Sequence, residues 1–314
     1  MLVMQFTNYN FGHDEYDYAR NIFRRWQWSR NPKLAALVPT PYGPFPPSRK
    51  SSQPPPPTGE STQHLTTASI TFKSSRTLLE TLFPTASFRF IKANTVCLAT
   101  LVLCRRRHGS WPDGRECCSL GLYFHGVEYT QKDGSKLSGP YLAVLFESVA
   151  APLVSSGDDE VSLPKVLCDI GVTVTTPTSS FGLTLSEIGT VFCKVEVSNL
   201  ESSTIPPNGD RAEAAELLAC TYSPPADDLG RSDGEFGCIA VSLDRVSPTP
   251  KAVERIFKSK DASVKFAPKI RQDQHPVLHH LATTLAEMPV YEILECKVVE
   301  GMGVLSPATS RAVV

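Results

Sequence analysis

The chain has 314 residues, of which 31 are basic and 32 acidic, so its formal net charge is −1. Without a broad basic surface to hold phosphates, we expect neither nucleic acid nor a membrane as a partner. No run approaches the roughly 20 apolar residues that span a bilayer, and Met1–Asn10 lack the pattern of a secretory signal. The 9 cysteines match no zinc or redox spacing, so we expect reduced thiols and a cytoplasmic protein.

Residues 1–60 differ in composition from the rest of the chain. Tyr16–Trp28 carries apolar residues at helical spacing, which predicts one amphipathic helix. Pro39–Pro57 favours an extended polyproline conformation and cannot form a core alone. We therefore expect residues 1–60 to be a poorly ordered, proline-rich extension and residues 61–314 to be the folded domain. A site for a proline-recognising domain is a second interpretation of the extension, and a stiff linker or tail is favoured.

Strand patterns predominate between residues 61 and 150. Arg76–Leu82 predicts a short helix, and the Asp133-Gly134 pair predicts a turn. The basic run Arg105–His108 is interpreted as a solvated loop. Alternating or apolar runs predict strands at Ser69–Lys73, Phe88–Phe90, Thr95–Cys104, Leu120–Phe124 and Tyr141–Glu147.

The second half of the chain continues this pattern. A helix is predicted for His279–Glu287, ending before Met288-Pro289. The predicted strands are Val166–Val174, Thr190–Val197, Glu216–Tyr222, Cys238–Val246 and Val290–Val299. Many strands with few helices predict a mainly β (α+β) fold, with a sheet that forms a barrel or a sandwich.

Lys165 is the residue with the clearest chemical potential. Leu163-Pro164 precedes it and Val166-Leu167 follows it, so its surroundings favour burial. Burial disfavours the ammonium form, and a pKa about 3–4 units below the ordinary value of about 10.4 would make this lysine a nucleophile. A lysine with such a lowered pKa can form a Schiff base with a carbonyl substrate. From the residues alone, a lysine with apolar neighbours is usually a strand-end lysine whose ammonium reaches water.

Three blocks, in this order, resemble the acetoacetate decarboxylase family, especially its fungal members. Gly139–Glu147 is similar to a Gly-x-Tyr-Leu strand of the family. The segment from Gly157 to Pro164-Lys165 resembles the one in which the Schiff-base lysine follows a proline. Leu285–Ile293 resembles a Leu-Pro-Val-x-Glu-Ile element near the C-terminus.

The resemblance implies a cone-shaped antiparallel β-barrel with a few short helices and an interior site. Lys165 would be the Schiff-base nucleophile, and Glu128, shortly before the Asp133-Gly134 turn, an acidic residue that places the substrate or moves protons. It also implies a carboxy-lyase without a cofactor that acts on a small-molecule β-keto acid and is able to form a homo-oligomer. Fungal relatives often serve secondary metabolism, which suggests a polyketide-derived substrate in a toxin pathway.

Three departures from the family pattern leave alternatives open. The family has an arginine near its N-terminal strand that holds the substrate carboxylate, but here His64 is the nearest basic residue before Ser69–Phe72, and Arg76 follows the strand. Asp158-Asp159 stand where the family has Arg-Glu, and Val166 stands where bacterial enzymes have a second lysine. A non-catalytic ligand-binding barrel is therefore one alternative, and a Schiff-base aldolase or dehydratase is another. His275 and His279-His280 lack the spacing of a metal site, so we expect no metal.

Overall fold

Strands make up most of the described chain. The structure is a computed structural model that describes residues 62–108, 116–148, 165–175, 180–187, 189–205, 216–223, 235–242, 252–267, 278–304 and 311–313. The helix and the polyproline segment predicted before residue 61 lie outside the described residues, as does Gly157–Pro164. The domain boundary at residue 61 therefore stays a prediction.

Two helices and sixteen strands are described. The helices are α1 (Arg76–Glu80) and α2 (His279–Glu287). The strands are β1 (Thr62–Ser75), β2 (Phe88–Phe90), β3 (Val96–His108), β4 (Glu116–Thr130), β5 (Lys136–Glu147), β6 (Lys165–Leu167), β7 (Asp169–Thr175), β8 (Ser180–Glu187), β9 (Thr190–Val197), β10 (Glu201–Ser203), β11 (Glu216–Ser223), β12 (Glu235–Ser242), β13 (Ala252–Ser259), β14 (Ala262–Phe266), β15 (Glu292–Val304) and β16 (Arg311–Val313).

These strands form a large and a small sheet. The large sheet has 12 strands in the order β10-β13-β15-β1-β3-β4-β5-β11-β12-β16, with β2 added to β4 and β6 to β5. Neighbouring strands of the large sheet are antiparallel, with two exceptions: β5 pairs in parallel with β6 and with β11. The small sheet is antiparallel, in the order β14-β9-β8-β7. Among the described residues, backbone hydrogen bonds do not close the large sheet into a ring.

The main core lies on one face of the large sheet, here called the first face. Alternate residues of β1, β3, β4 and β5 point to this face because successive strand side chains point to opposite sides. Phe146 of the large sheet and Phe192 of the small sheet pack with ring centroids 5.8 Å apart. Leu285 of α2 belongs to the same cluster, so the small sheet and the helix both pack on the first face.

The predicted fold class, the start of the first helix and one turn are confirmed. The fold is mainly β with short helices, and α1 begins at Arg76 as predicted. The Asp133-Gly134 turn is present: Gly134 has φ +85°, and the Asp133 carboxylate accepts a hydrogen bond from the Ser135 N–H at 2.8 Å. Neither described helix is long and apolar enough to cross a membrane. The described cysteines are free thiols.

Other predictions are wrong. Val166–Val174, predicted as one strand, is divided at Cys168 between β6 of the large sheet and β7 of the small sheet. Arg105–His108, interpreted as a loop, forms the end of β3 because its backbone pairs with both β1 and β4. No strand was predicted at β8, β10, β13, β14 and β16, although β8 alternates polar residues with the buried Phe181, Leu183 and Leu185.

Candidate active site

Part of the second face of the large sheet, opposite the main core, is buried as well but is more polar. Its own apolar cluster is small, and buried hydroxyl and thiol groups adjoin it, among them Thr67, Thr100, Cys104 and Ser119. The cluster consists of Tyr123, Leu142, Leu145, Leu217 and Ala219. A buried surface with a few polar groups among apolar ones is typical of a ligand-binding site.

The backbone of Lys165 belongs to this second face. β6 pairs in parallel with β5, and the register joins Lys165 to Leu145. Leu145 is 2% exposed and belongs to the cluster of the second face. Register partners share a face of the sheet, so position 165 lies beside this cluster. Across the sheet the same row of partners is Ser69, Val102, Gly121, Leu145 and Lys165.

Tyr123 covers this row at Gly121. A Cβ atom built on Gly121 would lie 2.5 Å from Cε2 and 2.7 Å from the hydroxyl oxygen of Tyr123. The phenol ring therefore lies directly over the glycine, in space that any side chain would occupy. Tyr123 is only 2% exposed, which places a buried phenol group two strands away from Lys165. Gly121 and Tyr123 were not singled out from the sequence, since their contact depends on the orientation of the tyrosine side chain.

A chain of hydrogen bonds extends the polar lining of the second face. The hydroxyl groups of Thr71 and Thr100 are 3.0 Å apart. The Thr100 hydroxyl is in turn 2.7 Å from Nε2 of His125. The three residues lie on β1, β3 and β4, so the network joins three adjacent strands.

Glu147 is a carboxylate on the same face that sequence reasoning did not select. It pairs with Leu167 on β6 and with Ser119 on β4. Leu167 follows Lys165 by two residues, which puts Glu147 on the face of Lys165 and one row away. Glu147 follows Leu145 by two residues, so the strand alternation at the end of β5 could have assigned it to the face of Leu145.

Glu128, the acidic residue selected from the sequence, lies at the opposite end of β4. It is seven residues beyond Gly121, which corresponds to roughly 20 Å along the strand. Its carboxylate accepts hydrogen bonds from Arg89 at 2.7 and 2.9 Å and lies 3.1 Å from Nζ of Lys136. The structure therefore brings Glu128 to Arg89 and Lys136, near the Asp133-Gly134 turn, and not to the level of Lys165.

The charge of Glu128 should affect stability and not turnover. The hydrogen bonds from Arg89 and Lys136 lower the pKa of its carboxyl group. A lowered pKa in the folded state adds stability above the ordinary carboxyl pKa of about 4.3, and this is lost as the pH falls through the folded value. We expect Glu128→Gln to lower the urea midpoint at neutral pH but not below about pH 3, with kcat unchanged. A large fall in kcat in Glu128→Gln would instead indicate that Glu128 takes part in the reaction.

The basic run is divided between the two faces. Arg105 binds Glu116 through Nε at 2.6 Å, and Arg107 also contacts this carboxylate. Burial raises the pKa of the Glu116 carboxyl group, but the hydrogen bonds and charges of these two arginines outweigh it, so the pKa is lowered. Arg106 points to the other side of β3 and is half-buried on the second face.

The described residues show no group of three or more His, Cys, Asp and Glu side chains that could hold a metal ion. His279 and His280 are adjacent on α2, with ring centroids 5.3 Å apart. His275, the other histidine considered, lies outside the described residues.

Comparisons with known proteins identify the fold but not a sequence family. No protein-family model matches the chain, and no curated protein matches it. The acetoacetate decarboxylase of Legionella pneumophila is 12% identical, with a TM-score of 0.54 over 84% of this chain and 93% of its own. Another acetoacetate decarboxylase structure is 12% identical, with a TM-score of 0.52 over 80% of this chain and 89% of its own. MppR, an enduracididine biosynthesis enzyme, is 14% identical, with a TM-score of 0.48 over 85% and 96%.

The two decarboxylase structures agree with this chain over most of their length. Their TM-scores exceed 0.5 although the sequences are only 12% identical, so the likeness is one of fold. It confirms the predicted mainly β fold with a cone-shaped, barrel-like sheet and few helices. The chain therefore has an acetoacetate decarboxylase-like fold.

Proposed function

We propose that this protein is a decarboxylase that forms a Schiff base between Lys165 and a β-keto acid. The observation that supports the proposal is the register of β6, which joins Lys165 to the buried Leu145 on the second face. In a barrel-like sheet the face with smaller and more polar residues is suited to the interior. Acetoacetate decarboxylase, the activity named for two proteins of the same fold, is chemistry of this kind.

The apolar neighbours explain how a lysine could act there. On the face of position 165, its β5 partner Leu145 is buried in an apolar cluster that offers little solvation to an ammonium ion, whereas Leu167, two residues further along β6, is 39% exposed. Removing water from a lysine disfavours its charged form and leaves more free amine. Val166 follows Lys165 where a second cation would provide charge repulsion, so desolvation is the proposed means of activation.

The reaction then follows ordinary imine chemistry. The amine of Lys165 adds to the ketone carbon, a C–N bond forms, and the carbonyl oxygen leaves as water to give an iminium. The bond from the α-carbon to the carboxylate breaks, its electron pair moves toward the iminium nitrogen, and CO2 leaves an enamine. A proton adds to the enamine carbon, and water hydrolyses the new iminium to release the ketone and restore the amine.

Two other residues of the second face are proposed to assist. Glu147, one row from Lys165, is placed to transfer the proton that the enamine carbon receives. Tyr123 lies over Gly121 in the row of Lys165 and can orient the substrate through its hydroxyl group. The substrate in this proposal is an acetoacetate-like or polyketide-derived β-keto acid, and the compartment is the cytoplasm.

Borohydride trapping tests this proposal directly. The protein is incubated with acetoacetate and with a longer β-keto acid, reduced with borohydride, and digested for mass spectrometry. We expect a substrate-dependent adduct on Lys165 together with release of CO2. Loss of water or formation of a new C–C bond without CO2 would indicate an aldolase or dehydratase. A folded sample that binds the acids without an adduct would indicate a binding protein.

A further inference from the structure

Arg106 and Ser119 carry two buried polar atoms that lack partners on the second face. Among the described residues, Nε of Arg106 and Oγ of Ser119 have no solvent exposure and no hydrogen-bond partner. A buried donor without a partner costs free energy, and native proteins rarely leave one without a reason such as a bound ligand. Two such atoms close together on the face that carries Lys165 point to a missing acceptor.

The strand registers make the two residues neighbours. Cys104 pairs with Ser119, and Arg106 follows Cys104 by two residues on the same face. Diagonal positions of this kind are about 7–8 Å apart, within reach of an arginine side chain. The charge of Arg106 also acts on the Cys104 thiol: burial raises the pKa of Cys104 to about 11, and Arg106 opposes that rise. Because successive residues of a strand point to opposite faces, Arg106 lies on the same side of β3 as Cys104 and its partner Ser119.

The chemistry of the pair selects an anion. The guanidinium group offers only donors and a permanent positive charge, and the Ser119 hydroxyl can add a further donor. A carboxylate accepts several hydrogen bonds and matches the planar guanidinium group. The neighbouring arginines show the contrast, since Arg105 and Arg107 already share the carboxylate of Glu116 on the first face.

We propose that Arg106 and Ser119 bind a carboxylate of the substrate that remains in the product, so that the substrate is a β-keto acid with a second acidic group. This inference rests on the Schiff base proposed at Lys165. Arg106 is four residues along β3 from Val102 in the row of Lys165, which is about 13 Å along the strand, and β3 and β6 are three strand spacings apart, which is about 14 Å across the sheet. The carboxylate that leaves is attached to the carbon beside the imine carbon and so stays close to Lys165.

Charge movement leads to the same assignment. During decarboxylation, negative charge moves from the leaving carboxylate toward the iminium nitrogen. A guanidinium bound to that carboxylate would stabilise the ground state more than the transition state and slow the reaction. If the guanidinium group binds a carboxylate far from the reacting carbon, it stabilises the ground state and the transition state equally and does not slow decarboxylation. Arg106 and Ser119 are accordingly positioning residues that select the substrate.

A keto acid that cannot decarboxylate tests this subsite. In 5-oxohexanoate the ketone and the carboxylate are too far apart for loss of CO2, and 2-hexanone has a similar chain without the charge. Calorimetry measures the Kd of 5-oxohexanoate for the wild type, Arg106→Gln, Ser119→Ala and the control Arg107→Gln. We expect Arg106→Gln to weaken binding roughly 10- to 100-fold and Ser119→Ala roughly 3- to 10-fold. Arg107→Gln, on the first face, should leave the Kd unchanged.

Thermal unfolding separates this role from a structural one. If Arg106 served to pair with Glu147 in the folded protein, Arg106→Gln would lower Tm. We expect the Tm of the ligand-free variant to stay the same or rise, because a buried donor without a partner is removed. A fall in Tm together with an unchanged Kd for 5-oxohexanoate would overturn the proposal.

Borohydride trapping distinguishes this inference from the proposed function. Trapping of 2-hexanone on Lys165 with no effect of Arg106→Gln on 5-oxohexanoate would refute the subsite and leave the Schiff base intact. Binding of 5-oxohexanoate that depends on Arg106, without any adduct, would refute the Schiff base and leave the subsite intact. A folded wild type that neither binds nor traps either compound would refute both.

Discussion

Lys165→Ala should lower the rate of decarboxylation by roughly four orders of magnitude or more. The methyl group of alanine cannot form the imine, so no electron sink exists for the pair released with CO2. Losses of this size are usual when a covalent nucleophile is removed. The measurement is the initial rate of CO2 release at saturating β-keto acid, with product identified as the ketone.

Lys165→Arg is the matched control for charge. Arginine retains a cation of similar length, but its guanidinium group stays protonated and does not act as an amine nucleophile. We expect this variant to be as inactive as Lys165→Ala. Activity in Lys165→Arg would mean that the site needs only a positive charge, which would exclude the Schiff base.

Both variants should keep the fold. A lysine activated as proposed is uncharged in the folded protein, so its replacement should change Tm little. Ligand binding in Lys165→Ala then separates chemistry from recognition. A non-catalytic barrel would bind its ligand with the same Kd in wild type and variant, and neither protein would release CO2.

The fold could be predicted in outline because its signals are local. Val96–Cys104 is apolar at every position except Thr100, and a continuous apolar run of this length is typical of a buried strand. The turn at Asp133-Gly134 depends on four consecutive residues, so it too is readable from the sequence. The break at Cys168 is not, because the chain there leaves one sheet for another and only tertiary packing decides the place.

The site was harder to predict because it depends on strand length and register. Glu128 precedes a correctly predicted turn, yet β4 extends over 15 residues, so one end of the strand is far from the other. Lys165 pairs near the end where β5 finishes, whereas Glu128 lies near the end where β5 begins. Glu128 was selected because it lies shortly before the turn in the sequence, but the structure has it at the other end of the sheet from Lys165.

Arg106 shows a different limit. Three consecutive arginines look like a solvated loop when charge alone is considered. Within a strand, alternation sends the middle arginine to the face opposite its neighbours, whatever its charge. The sequence does not reveal that β3 pairs with both β1 and β4. In the paired strand, Arg105 and Arg107 form ion pairs with Glu116 on the first face, and Arg106 is a cation on the second face.

Gly121→Val should destabilise the protein by about 1–3 kcal/mol and reduce turnover as well. A Cβ atom at this position would overlap the ring of Tyr123, with separations of 2.5 and 2.7 Å. Because Tyr123 is 2% exposed, the ring has to displace packed neighbours in order to move. Overpacking of a closed core commonly costs this amount. Urea denaturation measures the loss of stability.

Gly182→Ala is the control for substitution of a strand glycine. A Cβ atom there would meet its nearest neighbour at 3.8 Å, which is ordinary contact. This variant should be close to wild type in stability. If Gly121→Ala were equally harmless, the ring of Tyr123 would not lie over Gly121. The assignment of Tyr123 to the site would then be wrong.

Combination with Tyr123 variants separates packing from chemistry. In a Tyr123→Ala background the clash is gone, so Gly121→Ala should cost little, and the coupling in a double-mutant cycle should equal most of the single-variant effect. Tyr123→Phe keeps the ring in place and removes only the hydroxyl group. If the hydroxyl orients the substrate, Tyr123→Phe raises KM or lowers kcat at unchanged stability. If only the ring matters, Tyr123→Phe is active, and Gly121→Val alone is impaired because it moves the ring away from the row of Lys165.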